Sequence, residues 1–170
     1  MIRLKNNRNI WLISDTHFQH NNIVSKFDPP RPFNNIWEHD ETLIYNWNKV
    51  VNHGDKVYHL GDVFFGNKDS FKRLWPRLNG SKRLIVGNHD DVKFLSSGGF
   101  FQKVMLWKVF SEFGLLLSHV PVHESSFRGR TELNVHGHTH FRGSAKGPYK
   151  SVCCELIDYT PINIEELRIN

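Results

Sequence analysis

Five short clusters in the sequence are built from metal-ligand and acid–base side chains: Ser14-Asp15-Thr16-His17, Gly61-Asp62, Gly87-Asn88-His89-Asp90, His119, and His136-Gly137-His138-Thr139-His140. Imidazole nitrogen mixed with carboxylate oxygen suits divalent transition metals such as manganese, iron, zinc or cobalt, whereas calcium takes oxygen alone. Asp15 and His17 are two positions apart, so in extended backbone they point to one side and one metal can take both. His138 and His140 repeat that spacing. Asp62 stands alone behind Gly61, and a single carboxylate can bridge two metals. Asn88 adds a neutral oxygen that limits negative charge. Two metals about 3.5–4 Å apart clamp a phosphate and deliver a bridging hydroxide as nucleophile. Each cluster alone has a plainer explanation: Asp-x-His and Gly-Asp are common turns, Asp90 or Asp91 caps a helix, and His-Gly-His-Thr-His is a solvated loop. Five of ligand type, each behind an apolar run, are a poor fit to coincidence.

Those runs are the elements that must position the clusters. Ile10-Trp11-Leu12-Ile13, Val57-Tyr58-His59-Leu60, Leu84-Ile85-Val86, Leu115-Leu116-Leu117-Ser118 and Leu133-Asn134-Val135 are short, apolar and bounded by Gly or polar residues, the signature of buried strands. Clusters at their carboxyl ends lie where α/β sheets bind ligands. Asn34 or Asn35 caps a helix through about Val51. Phe71, Leu74, Trp75 and Leu78 mark a second helix over 70–78, shortened or kinked by Pro76. A third, short helix carries Val92 and Leu95 and stops at Gly98-Gly99. Lys103 to Phe110 reads as a strand, Ser111 to Gly114 as a hairpin turn, Ser151 to Ile157 as a later strand, and Asp28 to Phe33 as a proline-rich extended loop. Trp37, Trp47 and Trp75 read as core. The adjacent Cys153 and Cys154 read as strand residues facing opposite ways, since neighbouring cysteines rarely bridge.

The 170 residues are enough for one domain over 1–170, and 39% hydrophobic with 23% charged residues is ordinary for a globular chain. No apolar run approaches the ~20 residues of a membrane span. The basic, polar start and the short run behind it do not make a signal peptide, so the expected location is cytoplasmic. A formal charge of +5 favours an anionic partner. The densest basic cluster, Lys68, Lys72, Arg73, Arg77, Lys82 and Arg83, reads as a solvated helix face, with a nucleic-acid track as the alternative. No obligate protein partner is evident.

The ordered set Asp15-x-His17, Gly61-Asp62, Gly87-Asn88-His89-Asp90, His119 and Gly137-His138-Thr139-His140 resembles the calcineurin-like metallophosphoesterases, in their small single-domain branch, from about Ile10 to Pro161. The resemblance implies an α/β (α+β) fold: a β-sandwich flanked by helices in four αββα layers, with a dinuclear site at the strand ends. It implies that Asp15, His17, Asp62 and His140 hold one metal and that Asp62, Asn88, His119 and His138 hold the other. His89 then serves as general acid toward the leaving oxygen, with Asp90 orienting its ring. Two divalent ions are expected, manganese foremost, with iron, zinc, nickel or cobalt as alternatives. Asn88, His20, Arg31 and His136 are further substrate-binding candidates; Arg31 reads equally as a surface residue against a loop carbonyl, and His136 as support for the metal pair. His123 is placed near the cleft; His39, His53 and His59 read as structural or surface. The expected reaction is hydrolysis of a phosphate ester, a diester first, with monoester or nucleotide pyrophosphate hydrolysis on the same site as alternatives. A silent scaffold on the same fold is the reading of another class.

Overall fold

The computed structural model describes residues 8–169; residues 1–7, part of the basic start read from the sequence, lie outside it. Strands β1 (Ile10–Ile13), β2 (Lys56–His59), β3 (Ser81–Ile85) and β4 (Lys103–Met105) run parallel as neighbours. Strands β5 (Trp107–Phe110), β6 (Leu115–Ser118), β7 (Leu133–His136) and β8 (Tyr149–Ser151) form a second sheet in that order. A short β9 (Ile162–Asn163) pairs antiparallel on the free edge of β1, completing a five-stranded first sheet in the order β4-β3-β2-β1-β9. In the second sheet β5 is antiparallel to β6, while β6, β7 and β8 are parallel.

Alternation along β1 shows how the layers form. Leu12 and Ile13 point to opposite faces, Leu12 into a core shared with Leu60, Ile85, Leu115, Leu117 and Val135 between the sheets, Ile13 into a second core with Trp47, Phe71, Leu84 and Leu95. That second core is closed by α2 (Ile36–Val50), α3 (Lys68–Leu74) and α4 (Val92–Ser97), which follow the short α1 (Asn21–Ser25). Asn35 caps α2 by accepting from the Glu38 amide, and Asp91 caps α4 by accepting from Phe94. Asn67 caps α3, earlier than the apolar spacing indicates, and Pro76 falls in the 3-10 turn Trp75–Arg77 that ends it. The sandwich flanked by helices is as expected. The segment 119–132 lies beside β6 and β7, the Val122 amide donating to Asn134 Oδ1 and the Ser118 hydroxyl to the Val120 carbonyl; its one regular piece is the 3-10 turn Glu124–Ser126.

Three sequence expectations change. The run Lys103 to Phe110 breaks at Leu106 into β4 and β5, which belong to different sheets, so one stretch of β-favouring residues crosses the sandwich. The strand expected over 151–157 ends at Ser151; Cys154–Leu156 is a 3-10 turn, and Cys153 and Cys154 are buried free thiols. Trp47 and Trp75 are core, but Trp37 is 72% exposed, on the solvent side of α2. Half of the basic cluster is ion-paired: Lys68 pairs with Asp91, Lys72 with Asp69, and Arg77 with Glu41. Among the described residues no helix is long and apolar enough to cross a membrane.

Candidate functional site

Parallel register brings the clusters together. Ile13 pairs with His59 and His59 with Leu84, so β1, β2 and β3 end side by side and release Asp15, Asp62 and Asn88 at one edge. On the facing sheet β6 and β7 are parallel and release His119 and His138 at their carboxyl ends. A bridge between Ser14 and Cys153 ties the end of β1 to the second half of the chain.

Strand ends alone do not aim the side chains. Asp15 and His17 have φ of 56° and 46°, Asp62 56°, His138 69° and His140 49°, all in the left-handed region. The shared direction of Asp15 and His17 is therefore set by two left-handed kinks rather than by extended backbone. Asp and His tolerate this region better than branched residues, and such strain concentrates at functional sites. Tight approach also needs Gly87 and Gly137. A Cβ on Gly87 would strike the Asp62 amide and carboxylate, and one on Gly137 would strike Ser14 and the Asp15 carboxylate.

Both buried carboxylates are held in the same way. Asp15 Oδ2 accepts from the His138 amide at 2.9 Å, from Ser14 Oγ and from the Cys153 thiol, while Oδ1 has no hydrogen-bond partner. Asp62 Oδ1 accepts from the His89 amide at 2.9 Å, leaving Oδ2 3.7 Å from His17 Nε2 and 3.5 Å from His119 Nε2. His17 Nε2 and His140 Nε2 stand 3.9 and 3.6 Å from Asp15 Oδ1. On the other side Asn88 Oδ1 lies 2.9 Å from both His119 Nε2 and His138 Nδ1. The seven residues thus form two groups, Asp15–His17–His140 and Asn88–His119–His138, with Asp62 between them. Ligand atoms of Asp15, His17 and His140, and of Asp15, Asp62 and His119, lie within 4.8 Å of one another.

Proton positions follow from the outer partners. His119 Nδ1 faces the Leu60 carbonyl at 2.7 Å, which can only accept, so Nδ1 carries the proton and Nε2 presents a lone pair to the site. His140 Nδ1 donates to Glu155 Oε1 at 2.8 Å, which likewise turns the Nε2 lone pair toward Asp15. Neither ring nitrogen of His17 has a partner, and burial lowers the basicity of that ring, helped by Arg31. Buried lone pairs facing buried carboxylate oxygens, without protons between them, are the donor set of a cation site. The residues present fit divalent metal ions of the transition series.

Glu155 was not among the sequence candidates. Burial raises its carboxyl, but the hydrogen bond with His140 and the Arg31 charge outweigh that and hold its pKa at about 2. A carboxylate behind a ligand-type imidazole fixes ring orientation and raises its basicity. No spacing in the sequence marks it, because it sits in the 3-10 turn read as strand.

The remaining candidates separate. Arg31 is buried, with Nη2 2.8 Å from Glu155 Oε1 and its other donors on the Thr16 and Asp15 carbonyls, so it braces the site from behind and faces no substrate. Asp90 accepts from the Asp62, Val63 and Gly87 amides; both oxygens are used there, and neither bonds to the His89 ring it was expected to orient. Its role is to lock the 61–63 and 87–90 turns together. His89 is exposed at the rim, its ring 6.0 Å from that of His17. His136 is buried and bonds to the Gly137 carbonyl and Ser144, shaping the His138 loop. His20 lines the rim, its ring 5.3 Å from that of His17. His39 is buried against Arg31 and Asp40, and His59 against Thr16; His53 and His123 are exposed.

Several known proteins are similar to this chain. An uncharacterised protein of Methanocaldococcus jannaschii, MJ1445, is 37% identical, with 93% of this chain and 88% of that protein covered. The Gene 66 protein of Mycobacterium phage L5 is 29% identical over 78% of this chain and 77% of its own. The crystal structure of AQ665 from Aquifex aeolicus, a protein of unknown function, superposes with a TM-score of 0.73 at 30% identity, covering 94% of this chain and 97% of that one. Residues 8–158 match the family model for calcineurin-like phosphoesterases. With the paired carboxylates and imidazoles at the strand ends, the chain belongs to the calcineurin-like phosphoesterase family.

Proposed function

We propose that this protein is a metal-dependent phosphodiesterase using two divalent ions. The observation that carries the reading is the orientation of Asp15 and Asp62: each carboxylate has one oxygen fixed by backbone amides and the other turned, with buried imidazole lone pairs, to a common point. Asp15, His17, Asp62 and His140 would hold one ion; Asp62, Asn88, His119 and His138 the other, with Asp62 shared. Ions bound there supply Lewis acidity to a phosphate and make water nucleophilic near neutral pH. Manganese leads the candidates.

Protein groups do the rest. His89 sits exposed on the rim beside His17, where it can donate a proton to the departing alkoxide. Its backbone amide orients Asp62, so the residue that would give the proton also aims the shared carboxylate. Asn88, His89 and His138 are exposed, and no inserted domain covers them among the described residues. An open centre accepts a phosphate substituted on both sides, which favours a diester. The unpaired thiols Cys153 and Cys154 support a reducing, cytoplasmic setting.

Metal analysis of the purified chain, followed by turnover of bis(p-nitrophenyl) phosphate and p-nitrophenyl phosphate under manganese, tests the reading. Diester turnover should exceed monoester turnover, and His89→Gln should lower kcat by about 10²–10⁴-fold. If the manganese-loaded protein turns over neither ester, or if His89→Gln leaves kcat untouched, the reading is wrong.

A further inference from the structure

Beside the centre a groove of about 850 Å³ opens between the start of α2 and the start of α3. It meets the centre at His20 and Phe65. One side of the Phe65 ring is covered by His20, with centroids 4.6 Å apart, and its ring meets His89 edge-on at 5.8 Å. The residue is nonetheless 49% exposed. Trp37, the tryptophan that leaves the core, stands in the same groove. Phe65 thus keeps one ring face open beside His89, with a second exposed aromatic in the same groove. Side chains of Gln19, Asn21 and Asn67 line the space between, the Asn67 oxygen being committed to the α3 cap, and Gln19 Oε1 and His20 Nδ1 are buried without a hydrogen-bond partner.

The groove carries two carboxylates and two arginines, Arg73 and Arg77, and is formally balanced. Its two carboxylates are already engaged, Asp40 with the Gln19 amide and His39, and Glu41 with Arg77 in a bidentate pair. Arg73 bonds only to the Ser70 hydroxyl and is exposed.

We propose that this groove is a nucleobase subsite: the substrate is a nucleotide phosphodiester whose base stacks on Phe65 while its phosphate lies at the carboxylate–imidazole centre. The inference rests on the phosphodiesterase reading above. A base is separated from its 5′-phosphate by one ribose, a span that lets its ring reach Phe65, which His20 and His89 join to the centre. Stacking on an aromatic ring is tolerant of sequence because every base has a π-face, and the amides supply donors and acceptors for base edges. Exposed Arg73, further along the groove, is placed to meet the next phosphate of a strand.

The test compares two esters with one leaving group: thymidine 5′-(p-nitrophenyl phosphate) and methyl p-nitrophenyl phosphate, with the full chain under manganese. Wild type should prefer the thymidyl ester in kcat/KM. Phe65→Ala should cut the thymidyl-to-methyl ratio by about tenfold, the scale of one base–aromatic stack, and Phe65→Tyr should restore it. Trp37→Ala, at an exposed position, should lower the same ratio; Trp107→Ala, exposed on the second sheet, serves as control. Methyl-ester turnover with no thymidyl preference, or a ratio unmoved by Phe65→Ala, overturns the subsite and leaves the phosphodiesterase standing. Turnover of neither ester overturns the phosphodiesterase reading, and calorimetry then decides the subsite separately. In chelator, thymidine 5′-monophosphate should bind wild type about tenfold more tightly than Phe65→Ala, and ribose 5-phosphate should show no such difference; equal binding by both proteins overturns it. A mononucleotide and a single strand share this chemistry. Oligothymidylate binding weakened by Arg73→Ala, with the mononucleotide unaffected, assigns the strand; equal effects assign the mononucleotide.

Discussion

Replacing Glu155 with Gln removes one charge from a buried chain of contacts and nothing from the ligand-type set itself. A single oxygen, Oε1, accepts from Arg31 Nε at 3.0 Å, from Arg31 Nη2 at 2.8 Å and from His140 Nδ1 at 2.8 Å, while Oε2 is buried without a partner. The side chains of Arg31 and Glu155 are 1% and 11% exposed, so solvent screens the pair little. Two routes give the cost. A carboxyl held at about 2 against an ordinary 4.5 corresponds to about 3 kcal/mol of interaction with the ionised form. Leaving one member of a buried ion pair uncompensated costs about 3–5 kcal/mol. Gln also turns an N–H₂ toward the empty Oε2 side, where nothing accepts it. Glu155→Gln should therefore lose about 3 kcal/mol, seen as a Tm lower by about 6–12 °C for a chain of this length, measured with chelator so that metal does not contribute. A His140 ring released from its carboxylate should also bind manganese about 10–100-fold more weakly by calorimetry. The double variant Arg31→Met/Glu155→Leu should cost less than the sum of Arg31→Met and Glu155→Leu, because it removes both charges together. Wild-type Tm and manganese affinity in Glu155→Gln would refute the reasoning.

Two other outcomes follow from buried geometry. His59 is fully buried and neutral: Gly61 donates to Nδ1 while Nε2 bonds to Thr16 Oγ1, and burial, with a smaller contribution from His119, lowers its pKa to about 3. The unfolded chain takes up a proton below about 6.5 and the folded one does not, so this contribution to stability is complete above 6.5 and shrinks as pH falls toward 3; by pH 5 the loss is about 2 kcal/mol. Chemical denaturation of chelated protein at pH 7 and pH 5 should show that loss, and a slope identical in His59→Gln would rule the assignment out. At His138, with φ of 69°, Gly should be more stable than Ala by about 1 kcal/mol, the reverse of the usual order; because both lack the imidazole, urea midpoints of His138→Gly and His138→Ala isolate the backbone, and an Ala variant as stable as the Gly one would contradict the strain.

How much the sequence disclosed depends on the range of the interaction involved. Donor residues announce themselves because apolar runs end in them, and parallel register then brings Asp15, Asp62 and Asn88 to one edge, where left-handed kinks aim the two carboxylates. Residues that act from behind carry no such mark. Glu155 lies 15 positions from His140 and 124 from Arg31, and it reads as the middle of a strand until the chain is seen to turn at Cys154. Arg31 looks like a loop cation because the proline-rich segment hides that it folds inward. Asp90 shows the converse: adjacency to His89 suggests a ring partner, yet its oxygens are worth more to three backbone amides that have no other acceptor. Trp37 fits the helical spacing of its buried neighbours and still faces solvent, since spacing cannot say where a packed surface ends.

Five donor residues in left-handed backbone explain why the fold invests so heavily around them. Each such residue costs about 1–3 kcal/mol, a sum comparable to the whole stability of a domain. The compensation lies in contacts that are themselves specific to the site. The His138 amide that becomes available through the kink bonds to Asp15, and the His89 amide in the facing turn bonds to Asp62. Asp90 ties the turn that holds Asp62 to the turn that holds Asn88 and His89. Gly87 and Gly137 supply the clearance without which these bonds could not close. Strain and satisfaction are coupled at the site: Asp15 is oriented by the amide of the kinked His138, and Asp62, itself kinked, by the amide of His89. A change that relaxes a kink should loosen the aim of a carboxylate on the opposite cluster, so the centre responds as a unit although its members come from five separate stretches of chain.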